Sequence, residues 1–275
     1  MDGMDLLGNF LRIAPPFKGR GRLIRRWVHL HRDERRVRAL AGGAKIECDM
    51  SIPYESMVWL GKEEDKDLAA LAGILREGET FVDCGANIGV WTLTAALAVG
   101  PHGKVFAFEP NPVTFEKFTR NLKTNGLEES VVALCAACGR EAGVMPFLCA
   151  DEHNNSRMAD ALDKDVLYVP VRTLDTAVHA GRVHGVKIDV EGHEHDVLLG
   201  GREMLRRSRP WLCVEFNSSI AGVAKLRDWR VHRLLRDLGY ACCAMAGAAR
   251  NRSRNALGDD WELQGYSNLF YFLRE

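Results

Sequence analysis

Five short, largely apolar runs, at residues 80–83, 104–108, 131–135, 186–189 and 211–215, are separated by stretches with helical periodicity. Runs this short with apolar residues at successive positions fit parallel strands buried on both faces. Phe115, Phe118 and Leu122 recur at i, i+3 and i+7 and stop before Gly126, and Leu226, Trp229, Arg233, Leu234 and Leu238 read the same way before Gly239. Both are expected as helices closed by a glycine. Strand and helix alternating in this way imply right-handed crossovers and a doubly wound α/β sheet. Two late strands, 240–245 and 268–273, are joined by a long polar segment without helical period, a connection that suits an antiparallel last strand. At 275 residues and 47% hydrophobic content, the chain can bury a substantial core, which excludes disorder.

Upstream, Leu23, Ile24, Trp27, Val28 and His31 share one face of a helix whose other face carries Arg22, Arg25, Arg26 and Arg32. Residues 45–50 are expected to pair as a small strand with 57–60. Residues 1–65 thus read as an N-terminal basic helical appendage and 66–275 as the main domain. Thirty-seven Lys and Arg balance thirty-seven Asp and Glu, which argues against a generic polyanion binder. The balance is uneven: residues 17–40 hold nine basic residues against Asp33 and Glu34, leaving the rest acidic by the same margin. The basic helix could lie on anionic lipid through Trp27 and its arginines. Packing on the rest of the chain, or against another subunit of an oligomer, is preferred because Asp33 and Glu34 interrupt the run.

No apolar run reaches the ~18 residues of a membrane span. The start, with Asp2 and Asp5, lacks the basic and apolar regions of a signal peptide. Eight cysteines fall mostly in apolar runs, which fits a reducing, cytoplasmic location. Cys135 and Cys138 form a lone C-x-x-C whose strand alternation would point the thiols to opposite faces, so neither metal binding nor redox chemistry is expected there.

The chemistry concentrates after the first strand, at Asp83-Cys84-Gly85-Ala86-Asn87-Ile88-Gly89. Gly85 and Gly89 permit a tight turn and close backbone approach by a ligand at the carboxyl edge of the sheet. A dinucleotide site would read G-x-G-x-x-G and seat a pyrophosphate on the helix N-terminus. Here the third glycine is missing and Asp83 precedes the turn; a carboxylate repels pyrophosphate but suits a cationic moiety, such as the methionine end of S-adenosylmethionine. Glu109, in Glu109-Pro110-Asn111, follows Gly89 by 20 residues, where an acidic residue accepts hydrogen bonds from ribose hydroxyls. At the fourth strand, Asp189, Glu191, His193, Glu194 and His195 crowd together where acid–base chemistry would be placed, with Asp189 and Glu191 the leading candidates. Glu215 and Asn217 bring a carboxylate and an amide to the next strand. Asp189, Glu215 and Asn217 are hard oxygen donors, so a Mg²⁺ site is an option beside simple mutual hydrogen bonding.

These stretches resemble the FkbM-type family of S-adenosylmethionine-dependent methyltransferases. The matching blocks are residues 81–89, 103–112, 121–126, Thr173-Leu174-Asp175, 187–192 with Glu194, and Arg209-Pro210 leading to Glu215. The resemblance implies the class I methyltransferase fold, a Rossmann-like seven-stranded sheet of order 3-2-1-4-5-7-6 with the last strand antiparallel. It implies that Asp83, Gly85, Ala86, Asn87 and Gly89 surround the methionine end of the cofactor. Glu109 with Pro110 would hold the ribose, and Asn111 and the backbone around Ala136 and Ala137 would flank the adenine. The implied acceptor is a hydroxyl on a sugar, polyketide or other small secondary metabolite. Because the sulfonium methyl is already activated, the enzyme must align that oxygen and take its proton, with Asp189, Glu191, Glu215 or His193 as the base. Cys84 departs from the Val or Ile of the family pattern, and His193 and His195 flank Glu194, which leaves the base open. Thr173-Leu174-Asp175 reads as a turn and helix cap. His29, His31, His102, His179, His184 and His232 read as surface residues, and Asn154, Asn155, Ser156, Arg157 and Met158 as a loop placed for substrate contacts.

Three other functions compete with this one. An NAD-dependent dehydrogenase is disfavoured by Asp83 and the missing glycine. The basic segment prompts an RNA or other macromolecule methyltransferase, but the Asn/Asp-Pro-Pro-aromatic motif of base-amino methylation is replaced by Asp189-Val190-Glu191-Gly192, and no nucleic-acid partner is expected. A non-catalytic membrane-surface protein would use the basic helix alone.

Overall fold

The computed structural model describes residues 5–15, 17–40, 42–61, 65–148, 157–158, 166–245 and 256–273. The chain opens with helices α1 (Leu6–Ile13) and α2 (Arg20–Leu30), strands β1 (Arg35–Ala39) and β2 (Lys45–Asp49), and helices α3 (Pro53–Leu60) and α4 (Asp65–Ile74). The alternating part begins with β3 (Thr80–Cys84), α5 (Val90–Val99), β4 (Lys104–Phe108), α6 (Pro112–Thr124) and β5 (Val131–Leu134). A smaller sheet follows, from β6 (Ala137–Cys138), β7 (Gly143–Leu148), β8 (Arg157–Met158) and β9 (Val166–Arg172), then α7 (Leu174–Ala177). The main sheet resumes with β10 (Gly185–Ile188), α8 (Glu194–Gly200), α9 (Arg202–Ser208), β11 (Trp211–Asn217), α10 (Ser218–Ala221), α11 (Arg230–Asp237), β12 (Tyr240–Ala244) and β13 (Tyr266–Leu273).

Seven strands lie in the order β12-β13-β11-β10-β3-β4-β5. All pairs are parallel except those of β13, antiparallel to both β11 and β12. Read from β5, this is the class I methyltransferase order expected above. Alternation splits each strand between two cores. Phe81, Val105, Cys213 and Phe270 face one cluster with α4, α5 and the N-terminal elements. Val82, Phe106, Ile188 and Val214 face the other with α7, α8, α9 and α11. Neither face is open to solvent, which is why these runs show no polar alternation.

The N-terminal region departs from the sequence reading. Residues 57–60 are not a strand: Pro53 follows extended Ile52 and starts α3, which runs to Leu60, as a proline at a first helical position favours. The partner of β2 is β1, with Arg35 opposite Asp49 and Arg38 opposite Ile46, so the later arginines of the basic segment sit on a strand. The helix α2 does pack on the chain, burying Ile24 and Trp27. Trp27 stacks on Trp59 with ring centroids 4.9 Å apart, and the Arg36 guanidinium lies over both rings. Asp5 accepts from the Trp27 indole N–H at 3.2 Å and pairs with Arg36.

Two further expectations change. The helix before Gly239 is broken, because Trp229 is extended (φ −76°, ψ 119°) between a 3-10 turn and α11; its buried ring meets Phe216 edge-on. His232 is buried, not on the surface, between the Tyr271 hydroxyl at 3.2 Å and Asp259 at 3.3 Å. Thr173 does cap: its hydroxyl accepts from the Thr176 N–H, and Asp175 accepts from Glu203 and Met204 N–H at the start of α9. Asn154, Asn155 and Ser156 lie outside the described residues.

Candidate active site

Register assembles the site. Asp83 on β3 is opposite Lys187 on β10, which is opposite Cys213 on β11. One step further along, Cys84 is opposite Ile188 and Ile188 opposite Val214. Asp189 therefore leaves β10 level with Gly85 on one side and Glu215 on the other. Asp189 N–H donates to the Cys84 carbonyl at 2.9 Å. A Cβ on Gly85 would stand 1.8 Å from the Asp189 carbonyl oxygen, and one on Gly89 2.6 Å from the Phe118 ring. Both glycines have positive φ, +90° and +99°. The space they free is thus filled by protein backbone and ring, with tight turn and packing together demanding glycine.

The loop between them is tied to the next strand end. Gly85 and Ala86 N–H both donate to the Phe108 carbonyl. The Glu109 carboxylate accepts from Asn87 N–H at 2.9 Å on one oxygen and from Asn111 N–H at 2.8 Å on the other. Each oxygen keeps a lone pair for a further donor. Burial, only partly offset by these two N–H groups, pushes Glu109 up to about 7. Asn111 caps α6 through its side-chain oxygen. The Cys135 thiol points at the Pro110 carbonyl at 4.0 Å, so the segment carrying Ala136 and Ala137 folds beside Pro110. Cys138 turns the other way, buried against Cys84.

Beneath the loop, Asp83 is 1% exposed, accepts from the Thr92 hydroxyl at 2.6 Å and is pushed up to about 6 by burial against the opposing pull of Thr92 and Lys187. Asp189, Glu191 and Glu215 bring carboxylate oxygens within 4.8 Å of one another. Glu215 stands well above its ordinary value, first from burial and then from Asp189 beside it. Glu191 is raised by burial, then by Asp189 and Glu194. It also adopts φ +50°, in the left-handed region non-glycine residues seldom enter. Asn217 faces it at 3.5 Å.

His193 falls outside this carboxylate group. It stands at the N-cap position of α8 facing Asp196 at 3.8 Å, with burial lowering its proton affinity. The Mg²⁺ set also changes. Asp189 and Glu215 meet, with Glu191 as the third carboxylate; Asn217 stands beside Glu191, its amide oxygen accepting from Ser219 N–H at the start of α10 and keeping a second lone pair. Lys187, 1% exposed, with Nζ 2.9 Å from Asp189 Oδ2, offsets one of these negative charges.

A family model for the methyltransferase FkbM domain matches residues 83–242, more than half of the chain. The chain belongs to the FkbM methyltransferase family. Hexuronic acid methyltransferase AglP of Haloferax volcanii is 26% identical over 205 residues, 72% of this chain and 82% of that protein. Methyltransferase sdnD of Sordaria araneosa is 30% identical over 156 residues, 44% of this chain and 59% of its own length. Among solved structures, the FkbM methyltransferase of Methylobacillus flagellatus KT aligns over 97% of this chain and 58% of that one, with 14% identity and a TM-score of 0.46.

In this FkbM methyltransferase, sequence reasoning passed over the residues that organise the carboxylates. Lys187 is the foremost. Burial alone would lower its proton affinity, but Asp189, Cys213 and Glu215 around it hold it above the ordinary value. Its ammonium also lies 5.0 Å from the Trp91 ring centroid. The available signal was a lone lysine inside an apolar strand, which must find partners to be buried. Thr92, and Asp67 bonded by Asn268 at 2.8 Å, complete the surroundings. They come from α5, α4 and β13, distant in sequence.

Proposed function

We propose that this FkbM methyltransferase uses S-adenosylmethionine to methylate a hydroxyl on a small molecule, such as a sugar or a secondary metabolite. The observation that carries the reading is the meeting of Asp189, Glu191 and Glu215 at the carboxyl ends of β10 and β11, beside the Gly85 to Gly89 loop. Their surplus of negative charge over the one buried ammonium suits a cationic sulfonium, and the desolvated Glu109 suits two ribose hydroxyls. Asp83, Gly85, Ala86, Asn87 and Gly89 are assigned to the methionine end, Glu109 and Pro110 to the ribose, and Asn111, Ala136 and Ala137 to the adenine.

When bound, the cofactor supplies a methyl group already activated for transfer. The chain's own work is alignment and proton removal. Glu191 is the base we assign. Its half-buried carboxylate has a raised proton affinity, which brings it closer to neutral pH, where a general base is most effective. Lys187 pairs with Asp189 and keeps the cluster together. The relative acting on a hexuronic acid supports a sugar acceptor, and the seven described cysteines, all free thiols, support a reducing, cytoplasmic compartment.

The test is labelled-methyl transfer to a panel of glycosides and hydroxylated metabolites, with total RNA in parallel. Expected are transfer to a hydroxylated acceptor and, for Glu191→Gln, a 10²- to 10⁴-fold lower kcat with a much smaller loss of cofactor affinity. Transfer to RNA alone, or binding of NAD with none of S-adenosylhomocysteine, would overturn the reading.

A further inference from the structure

Seven of the seventeen exposed large apolar side chains among the described residues lie between positions 6 and 30. On α1 they form a line: Leu6, Phe10 and Ile13 are spaced by four and three residues, continue to Phe17, and have Leu7 beside them. Leu6 is 67% exposed and Ile13 84%. The opposite side of α1 is the buried one, with Gly8 and Leu11 inward. Gly8 lets Trp27 of α2 approach so closely that a Cβ would sit 2.7 Å from its ring. The helix is therefore held through Gly8 and Leu11, while Leu6, Phe10 and Ile13 face outward.

The adjoining helix supplies the charge. Lys18, Arg22, Arg25 and Arg26 are exposed, and no acidic residue occurs between Leu6 and Arg32. On α2, Leu23, Arg26 and Leu30 share one line, so apolar and guanidinium groups alternate along a single surface. Asp33 and Glu34 fall after the helix, where Glu34 pairs with Arg36. Trp27, which the sequence placed on the contacting face, is inward and takes no part.

We propose that the α1–α2 hairpin is a docking surface for an anionic lipid bilayer. A row of Leu, Phe and Ile at heptad-like spacing inserts at the depth of the acyl boundary, while flanking arginines keep their aliphatic stems in the interface and their heads on lipid phosphates. A second copy of the chain fits this surface less well, because it would set two unneutralised arginine rows against each other. A chain of mostly buried contacts links this surface to the active site. Arg36 holds Asp5 ahead of α1, Arg38 on the same strand holds Asp65, and Asp67 two residues on is bonded to Asn268, the register partner of Glu215. Docking the hairpin would thus set the methyltransferase at a fixed height over the membrane, independently of which acceptor it uses.

The test is co-sedimentation of the full chain with vesicles of phosphatidylcholine, with and without one third phosphatidylglycerol. Expected is binding to the anionic vesicles that is released by high salt. Changing Arg22, Arg25 and Arg26 together to glutamine should weaken it on the order of a hundredfold, from roughly fivefold per arginine. The pair Phe10→Ser and Ile13→Ser should weaken it at least tenfold. Both variants, altered only at exposed positions, should keep the parent's melting temperature and its affinity for S-adenosylhomocysteine. The proposal is overturned by absent binding, by equal binding to both vesicle types, or by an arginine variant that binds as the parent does. Self-association lost in the Phe10 and Ile13 variant would overturn it too, by giving the face to a second copy.

Discussion

Asp83 and Lys187 are register partners across the β3–β10 pair, and both are almost wholly buried. A parallel sheet interior seldom holds two ionisable groups side by side. Here the arrangement gives the candidate site an internal cation, bonded to Asp189 and shared electrostatically with Asp83 and Glu215. The carboxylates can gather at the strand ends because one buried ammonium already offsets part of their repulsion.

Replacing Lys187 by methionine should therefore unbalance the whole group. Removing one partner of a buried pair leaves the other uncompensated, at a cost of about 3–5 kcal/mol. Urea denaturation of Lys187→Met should show that loss, and the double variant with Asp189→Asn should recover part of it. An additive double variant would show that the two residues do not act as a pair. Lys187 already offsets part of the charge that a metal would otherwise balance, so EDTA should leave methyl transfer unchanged; loss of activity restored by Mg²⁺ would contradict this.

Gly85 and Gly126 separate two reasons for glycine. Both have positive φ, but a Cβ at Gly126 meets nothing within 4 Å, whereas at Gly85 it lands on the Asp189 carbonyl. Gly126→Ala should cost about 1 kcal/mol, from backbone conformation alone. Gly85→Ala must also push β3 and β10 apart at the site, so it should cost more than twice as much and abolish cofactor binding. Thermal melts and calorimetric titration of S-adenosylhomocysteine would check both, and equal costs would contradict the argument.

The alternation of strand and helix, the loop from Gly85 to Gly89 and the carboxylates at 189, 191 and 215 were legible because each is written in a few consecutive residues, whereas the strand order came only with the family resemblance. The partner of β2 was not. Its pairing depends on which neighbour can be extended, and Pro53 decides that by starting a helix where apolar content suggested a strand. The reading of His232 failed because burial is set by Asp259 and Tyr271, from a loop and a strand far along the chain. Lys187 was visible as a residue but not as a partner, since its meaning lies in the register of three strands.

The N-terminal elements should be stabilising. Trp27 is 1% exposed and packs at once against Trp59, the Arg36 guanidinium and Gly8. Trp27→Ala should cost about 3–5 kcal/mol, the usual range for emptying a buried aromatic site. Because its core is continuous with the face of the sheet that holds Phe81 and Phe270, unfolding should remain a single transition. A separate early transition of residues 1–65 would show that they form an independent unit.

Proton affinity at Asp83 and Glu109 should make cofactor binding depend on pH. Burial pushes Asp83 up to about 6 and Glu109 up to about 7 in the ligand-free chain. Raised carboxyl groups hold protons in the folded state that the unfolded chain has already released, so stability from this source is present near pH 4 and declines as pH rises through 7. Binding runs the other way. A sulfonium cation and two ribose donors favour the ionised carboxylates, so association releases protons and tightens with pH. Calorimetry between pH 5.5 and pH 8 should show S-adenosylmethionine affinity rising on the order of tenfold, about one pKa unit's worth of free energy. Glu109→Gln should bind more weakly at pH 8 and lose most of the slope, because its amide has no proton to release. An unchanged slope in that variant would assign the titration to Asp83 or to the cluster around Glu215.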